Sequence, residues 1–139
     1  MSEQGTGDIL LRLTIPGNPT PKKNNMRILH TPDGRPFVAP SRRFSDFQKQ
    51  CAQYIPDSAR VSISQPCNIE CLYFRSDHRR VDLTNLQQSS DDILVHYGVI
   101  ADDNSKIVAG HDGSRVLYDK DYPRTEIVIT SMEAPQENT

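Results

Sequence analysis

Two segments with helical periodicity, interleaved with seven short apolar segments, predict a single α/β domain, of the α+β type with two main helices. The chain has 139 residues, of which 35% are hydrophobic, and this suffices for one core of modest size. The apolar segments have the length and the β-branched content of strands, whereas the apolar residues of the two helical segments recur with the period of an α-helix. We therefore expect one domain over residues 1–139, with flexible tails at 1–7 and 131–139.

The first third of the chain predicts a strand followed by a hairpin. Residues 9–15 alternate apolar and polar side chains up to a Pro-Gly pair, which predicts a strand that ends there. The sequence GNPTPKKNN that follows is typical of a loop. Residues 26–30 and 37–39 flank the turn sequence Thr31-Pro32-Asp33-Gly34, and this arrangement predicts a hairpin.

The first helix should begin after Ser41, whose hydroxyl is suited to capping it, and should continue to about Tyr54. Its apolar side comprises Phe44, Phe47, Cys51 and Tyr54. Residues 67–74 then predict a central strand, because they are apolar and partly β-branched.

The three cysteines contain no CxxC pair, which argues against a disulfide framework and against a four-thiolate zinc site. Cys67 and Cys71 lie four residues apart in a predicted strand and so share one face, where we expect them to be buried as small apolar residues. The sequence has neither an 18-residue apolar run nor a signal-peptide pattern. We therefore expect a cytoplasmic protein that does not bind a membrane.

The second helix should follow Asp82 and end at Gly98, which is suited to the left-handed position after a helix. At 100° per residue, its apolar side chains fall within an arc of roughly 100° and its polar ones within a neighbouring stripe of roughly 80°. The apolar arc comprises Leu83, Leu86, Ile93, Leu94 and Tyr97. The polar stripe comprises Asp82, Asn85, Ser89, Asp92 and His96, whereas Thr84, Gln88 and Asp91 point elsewhere. Residues 106–109, 115–118 and 126–130 predict three closing strands.

Charge is unevenly distributed along the chain. Residues 1–81 contain 12 Lys/Arg and 7 Asp/Glu, whereas residues 82–139 contain 4 and 11. A basic half beside an acidic half fits a surface that attracts an anion next to a pocket that collects cations. Uneven charge on a solvated surface gives the same pattern.

Five aspartates follow the basic pair Arg79-Arg80 between His78 and Ile107: Asp82, Asp91, Asp92, Asp102 and Asp103. Clustered carboxylates bind Mg²⁺, which activates water and neutralises the phosphate in phosphodiester hydrolysis. Asp82 and Asp92 are separated by roughly 15 Å along the helix and cannot share an ion. The loop of Asp102 and Asp103 leads into a strand, which could return a carboxylate toward Asp82. The segment predicts a metal-dependent nuclease whose arginines contact phosphate.

Each of these residues also has a plain structural interpretation. Asp82 could serve simply as a helix cap, and Asp92 could cap or form an ion pair. Residues 102–105 could form a solvated turn with no other role. The four histidines lack metal-ligand spacing, so surface or local hydrogen-bonding roles are expected for them.

The chain contains, in order, basic residues, Asp-x-x-Asn-Leu, a helix with an internal Asp, a Gly, and Asp-Asp before an apolar strand. This order of features resembles that of the RusA family of Holliday junction resolvases, which are often carried by phages and prophages. The resemblance runs from the first strand through PKKNN, PSRRFSDF and VDLTNL to the last strand, and is strongest over residues 78–107. It implies a small mixed sheet with two main helices in a homodimer. It also implies symmetric cleavage of four-way DNA junctions in recombination and repair, with Mg²⁺ as cofactor and Mn²⁺ as substitute, in a bacterial or phage-infected cell.

The resemblance implies that Asp82 and Asp103 are the catalytic acids and bind the metal, with Asp102 as an adjacent ligand. Supporting roles fall to Thr84, Asn85 and Asp92. We expect the phosphates to be bound by the basic residues Lys22, Lys23, Arg42, Arg43, Arg79 and Arg80.

Two positions depart from the family pattern. Thr84 stands where a second aspartate is common and offers one neutral oxygen instead of a carboxylate. Gln88 stands where a functional lysine is common and cannot supply positive charge, which leaves Lys22, Lys23 or Lys106 as candidate sources. Three hypotheses follow: a structure-selective endonuclease, a non-catalytic junction- or DNA-binding protein with a degenerate metal site, and a cation-binding structural protein.

Overall fold

The fold is described from a computed structural model, which describes residues 6–22 and 26–133. Seven strands and two α-helices occur in these ranges. The strands are β1 (Thr6–Pro16), β2 (Met26–His30), β3 (Pro36–Pro40), β4 (Cys67–Arg75), β5 (Val108–Gly110), β6 (Arg115–Tyr118) and β7 (Arg124–Met132). The helices are α1 (Arg42–Cys51) and α2 (Leu83–His96). The mixture confirms the predicted α+β class.

The main sheet has five strands and is mixed. β7 lies between β1 and β4 and is antiparallel to both. On its other side β4 pairs in parallel with two short strands, with β5 at Cys67 and Asn68 and with β6 from Leu72 to Arg75. The predicted hairpin is also confirmed, because β2 and β3 form a separate antiparallel pair.

Both helices pack on one face of this sheet, as the periodicity of the strands requires. Alternate residues of β4 and β7, such as Ile69, Tyr73 and Ile127, are at most 1% exposed. They meet Phe47 of α1 and Leu86 of α2 in one core. Each fully buried side chain of this size contributes about 1.5–3 kcal/mol to folding, so the apolar faces determine where the helices lie.

Local signals set the limits of the helices much as predicted. The Ser41 hydroxyl accepts a hydrogen bond of 3.1 Å from the Phe44 backbone N–H and so caps α1. Gly98 has a φ of +74° after α2, a conformation that L side chains rarely adopt. Tyr54 was expected on the buried side of α1 and is instead 36% exposed. The helix ends at Cys51 and continues as a 3₁₀ turn, whose tighter period rotates Tyr54 outward.

Parts of the predicted flexible tails, at residues 6–7 and 131–132, form strand in the structure. β1 and β7 pair as far as Thr6 and Met132, so residues 6–7 and 131–132 belong to the sheet. Mutual pairing of the first and last strands explains this, because each satisfies the other's backbone groups. Residues 1–5 and 134–139 of the predicted tails lie outside the described residues. One predicted strand is also displaced: β5 covers residues 108–110 instead of 106–109, because the N–H groups of Ile107 and Val108 bond back to Asn104 in a turn.

The prediction for the cysteines is confirmed. Cys51, Cys67 and Cys71 are all thiols with no measurable exposure. Burial raises the pKa of Cys51 to about 12 and that of Cys67 to about 11. They therefore act as core residues.

Among the described helices, none combines the length and the apolar character needed to cross a membrane.

Candidate nucleic-acid and metal site

A basic cleft lies where β4 ends and α2 begins, and we call it the arginine cleft. It has a volume of about 300 Å³. Its charged lining comprises Arg43, Arg75, Arg79, Arg80, Asp77 and Asp82, and the β1–β2 loop from Asn18 to Pro21 forms a wall. Four guanidinium groups thus face two carboxylates, an excess of positive charge that favours a bound anion.

The loop wall is held in place by α2 and by the segment after β4. The Ser89 hydroxyl donates to the Thr20 carbonyl at 2.7 Å, and the Ser76 N–H donates to Asn18 Oδ1 at 2.9 Å. Lys22 Nζ lies 2.9 Å from Asp92 Oδ2. Two residues of the predicted polar stripe of α2, Ser89 and Asp92, therefore contact a loop more than 60 residues earlier and hold it beside the helix.

Asp82 lies at the edge of the cleft, directly before α2. It occupies the N-cap position, but its carboxylate accepts no capping hydrogen bond from the helix backbone. Its side-chain contact is a long one of 3.4 Å from Asn85 Nδ2, and Asn85 itself is buried. The plain interpretation of Asp82 as a capping side chain is therefore not supported, and the carboxylate faces a cleft that attracts anions.

Arg75 is the buried member of the cleft, with 8% exposure. Its Nη1 donates to the Pro19 carbonyl at 2.9 Å. Its Nε is buried and has no hydrogen-bond partner within the described residues. Burial lowers the pKa of Arg75, and the nearby Arg43 and Arg79 lower it further against the opposing effect of Asp77. Sequence reasoning missed this residue, although strand alternation places it on the core face with Cys71 and Tyr73.

Asp102 and Asp103 lie in an exposed turn and not beside Asp82. Asp102 Oδ1 accepts from the Asp103 N–H at 2.8 Å, and Asp102 Oδ2 accepts from Asn104 at 3.0 Å. These hydrogen bonds lower the pKa of Asp102. The pKa of Asp103 is raised, mainly by partial burial and then by the carboxylates of Asp102 and Asp91. This geometry is that of the solvated turn considered above.

The expectation that this loop returns toward Asp82 within one subunit is wrong, and the topology explains why. β4 and β5 are parallel, so the chain that enters β5 lies at the start of β4. Asp82 instead follows the end of β4. The 14 residues of α2 span the distance between these ends, about 20 Å at 1.5 Å per residue.

A second pair of polar side chains lies on the other side of α2. His111 Nε2 contacts Asp91 Oδ2 at 2.9 Å and Oδ1 at 3.1 Å, and Asp91 is 8% exposed. The helical wheel placed Asp91 outside both the apolar arc and the polar stripe of α2. It could not predict this contact, because His111 lies in a turn 20 residues later in the chain. His111 thus has the local hydrogen-bonding role expected of the histidines.

The remaining predicted residues are distributed as follows. Lys22 forms an ion pair with Asp92, so Asp92 does pair, as one of the interpretations of this residue expected. Arg42, Thr84 and Gln88 are exposed, and Arg42 lies outside the cleft lining. Lys106 belongs to the turn after Asp103, while Lys23 lies outside the described residues.

The carboxylates of the cleft suit a hard cation, but within the described residues they do not form a three-ligand metal site. Carboxylate oxygens are the ligands that Mg²⁺ prefers, and Mg²⁺ is commonly held by one or two of them together with phosphate oxygens and water. Asp82 meets that description. Across residues 6–22 and 26–133, however, no three His, Cys, Asp or Glu side chains are grouped so that they could hold a metal ion.

Comparison with known proteins identifies no relative, because no protein-family model matches the chain and no curated protein matches it significantly. The resemblance to the RusA family therefore stays a prediction from the residues of the 78–107 segment.

Proposed function

We propose that this protein is a Mg²⁺-dependent, structure-selective endonuclease that cleaves four-way DNA junctions in recombination and repair, as its resemblance to the RusA family implies. One observation carries the proposal. The Asp82 carboxylate is not used to cap its helix and borders a cleft lined by four arginines. A carboxylate that is free of a capping role and lies beside excess positive charge suits a cation bound against a phosphate.

Each part of the cleft has a chemical task in this proposal. The arginines hold the phosphodiester backbone, so affinity for DNA should fall steeply as salt concentration rises. Asp82 holds the cation, with Asn85 donating to the carboxylate and limiting its rotation. When bound, Mg²⁺ would activate water and neutralise charge on the attacked phosphate. This activity belongs in the cytoplasm of a bacterial or phage-infected cell.

The separation of Asp82 from Asp103 gives the proposed homodimer a specific purpose. In a two-fold dimer whose α2 helices lie antiparallel across the axis, Asp82 of one subunit would approach Asp102 and Asp103 of its partner. Such a dimer would hold two equivalent metal sites. Symmetric cleavage of two strands requires two sites of this kind.

A second function is favoured by one observation: no metal-binding group of three acidic, His or Cys side chains occurs in the described part of the subunit. Together with Thr84 and Gln88, this suits a protein that binds four-way junctions through the arginine cleft without cutting them.

Cleavage of a labelled four-way junction separates the two functions. Incubation with Mg²⁺ should produce paired cuts, EDTA should abolish them, and linear duplex of the same sequence should remain intact. Binding without cuts at every Mg²⁺ and Mn²⁺ concentration would select the second function. Absence of binding would contradict both.

A further inference from the structure

Arg75 carries a positive charge that no carboxylate of the described residues contacts directly, although the charge of Asp77 acts on it from a greater distance. It is 8% exposed, and no Asp or Glu of the described residues lies within ion-pair distance of it. Its hydrogen bond to Pro19 uses one of five guanidinium N–H groups. Burial of a charge without an ion-pair partner and of a donor without an acceptor destabilises the folded protein, and a bound anion would reduce the cost of burying the charge.

The two carboxylates of the arginine cleft make their direct contacts with other residues than Arg75. Asp77 Oδ1 accepts from the Arg79 backbone N–H at 2.9 Å, and Asp77 Oδ2 lies 3.9 Å from Arg79 Nε. Asp77 is thus directed to Arg79. Asp82 contacts Asn85. Among the described residues, Arg43, Arg75 and Arg80 therefore form no ion pair.

We propose that the arginine cleft is a binding site for one phosphate group, with Arg75 as its deepest contact and Arg43 as a second contact from the cleft lining. Because Arg75 is buried while Arg43, Arg79 and Arg80 are exposed, an anion that enters the cleft passes the exposed arginines and ends against the buried one. A guanidinium held by the Pro19 carbonyl has its planar fork fixed before the ligand arrives, which suits bidentate recognition of phosphate oxygens.

This inference deepens the proposed function and rests on it for the source of the phosphate, which we take to be the DNA backbone beside the cleavage site. Arg75 and Arg43 then supply the positive charge that Gln88 does not. Arg75 is a binding and positioning residue here, and Lys22 is not needed for this task because Asp92 already pairs with it.

The test follows the Nε–H resonance of Arg75 by ¹H–¹⁵N NMR in the full-length wild-type protein. A buried Nε–H exchanges slowly with water and should be visible near neutral pH; Arg75→Lys identifies it by its loss. Titration with inorganic phosphate should shift this resonance saturably, whereas NaCl at equal ionic strength should not. An equal, non-saturating response to both salts would overturn the proposal.

A second titration with a four-way junction in EDTA tests the source of the phosphate. A saturable shift of the same resonance supports the DNA backbone. A response to inorganic phosphate but not to the junction would keep the phosphate site and overturn the proposed function, so the two failures are distinguishable.

Matched variants measure how much Arg75 contributes to the affinity for a four-way junction. Arg75→Gln should weaken junction binding about ten- to a hundredfold, as expected for the loss of charge-assisted hydrogen bonds. Lys49→Gln removes the same charge from an exposed position on α1 and should change binding less than about threefold. Equal effects of the two variants would contradict a specific site. If Arg75→Gln does not fold, the wild-type titration and Arg43→Gln decide the matter.

Discussion

Lys22 Nζ lies 2.9 Å from Asp92 Oδ2, and this pair joins the β1–β2 loop to the third turn of α2. Both side chains were assigned to function from the sequence, the lysine to phosphate and the aspartate to support of a metal site. Their contact gives them a joint structural role in forming the wall of the arginine cleft.

A double-mutant cycle measures this role. Lys22→Met and Asp92→Asn should each lower the free energy of unfolding slightly, with a coupling of about 0.3–1 kcal/mol because both side chains are partly exposed. The coupling, obtained from urea denaturation, should decrease in 0.5 M NaCl. A coupling of zero at low salt would show that the pair does not hold the loop.

The three buried thiols give a prediction about pH. Their raised pKa values, about 12 for Cys51 and about 11 for Cys67 and Cys71, mean that about one thiol in a thousand or fewer is ionised at pH 8. A disulfide reagent should therefore label none of them until guanidinium unfolds the protein. Because the unfolded chain releases these protons near pH 8.5 and the folded chain does not, stability should fall as the pH rises from 8.5 toward 11. Rapid labelling of the folded protein would contradict the burial of these residues.

The adjacent acids of the exposed turn should titrate unequally. Partial burial and the Asp102 carboxylate raise the pKa of Asp103, whereas local hydrogen bonds lower that of Asp102. Asp102→Asn removes the neighbouring charge and should lower the pKa of Asp103, as followed by ¹³C NMR of the side-chain carboxyl groups. Asp112→Asn, in another exposed turn, is the control and should leave it unchanged. An unchanged pKa of Asp103 in Asp102→Asn would mean that the charges of these two residues do not interact.

Much of the fold could be predicted because its signals are local. The Pro-Asp-Gly turn determines the β2–β3 hairpin, and the wheel of α2 identifies Leu86, Ile93 and Leu94 as core residues. Periodicity gives the direction of a side chain around its own element. It does not give the distant segment that packs there, so the contacts of Ser89 with Thr20 and of Asp91 with His111 could not be predicted.

For the same reason, the sequence predicts only the part of the candidate site whose residues are neighbours along the chain. Asp82 and its neighbouring arginines are close in sequence, so their proximity in the cleft follows from the chain itself. Whether Asp103 approaches them depends on the parallel direction of β5 relative to β4, which no short motif encodes. Arg75 was predictable from the alternation of β4, but an arginine at a strand end is usually assigned to solvent.

The proposed dimer makes a prediction that a single-subunit site does not. Asp82→Asn and Asp103→Asn homodimers should both fail to cut a four-way junction. After subunit exchange, a mixed dimer retains one site with both acids, so the mixture should nick one strand per junction on a denaturing gel. Inactivity of the mixture, with subunit exchange verified by differently tagged chains, would contradict a site shared between subunits.

The most direct test of the nuclease proposal compares Asp82→Asn with Asp46→Asn on a labelled four-way junction in Mg²⁺. Both variants remove one negative charge, and Asp46 is an exposed residue of α1. Cleavage by Asp82→Asn should fall at least about a hundredfold, since loss of a metal ligand removes its stabilisation of the transition state, and junction binding should be equal or tighter because a negative charge near phosphate is lost. Asp46→Asn should cut at the wild-type rate. Unchanged cleavage in Asp82→Asn would contradict the assignment of the site.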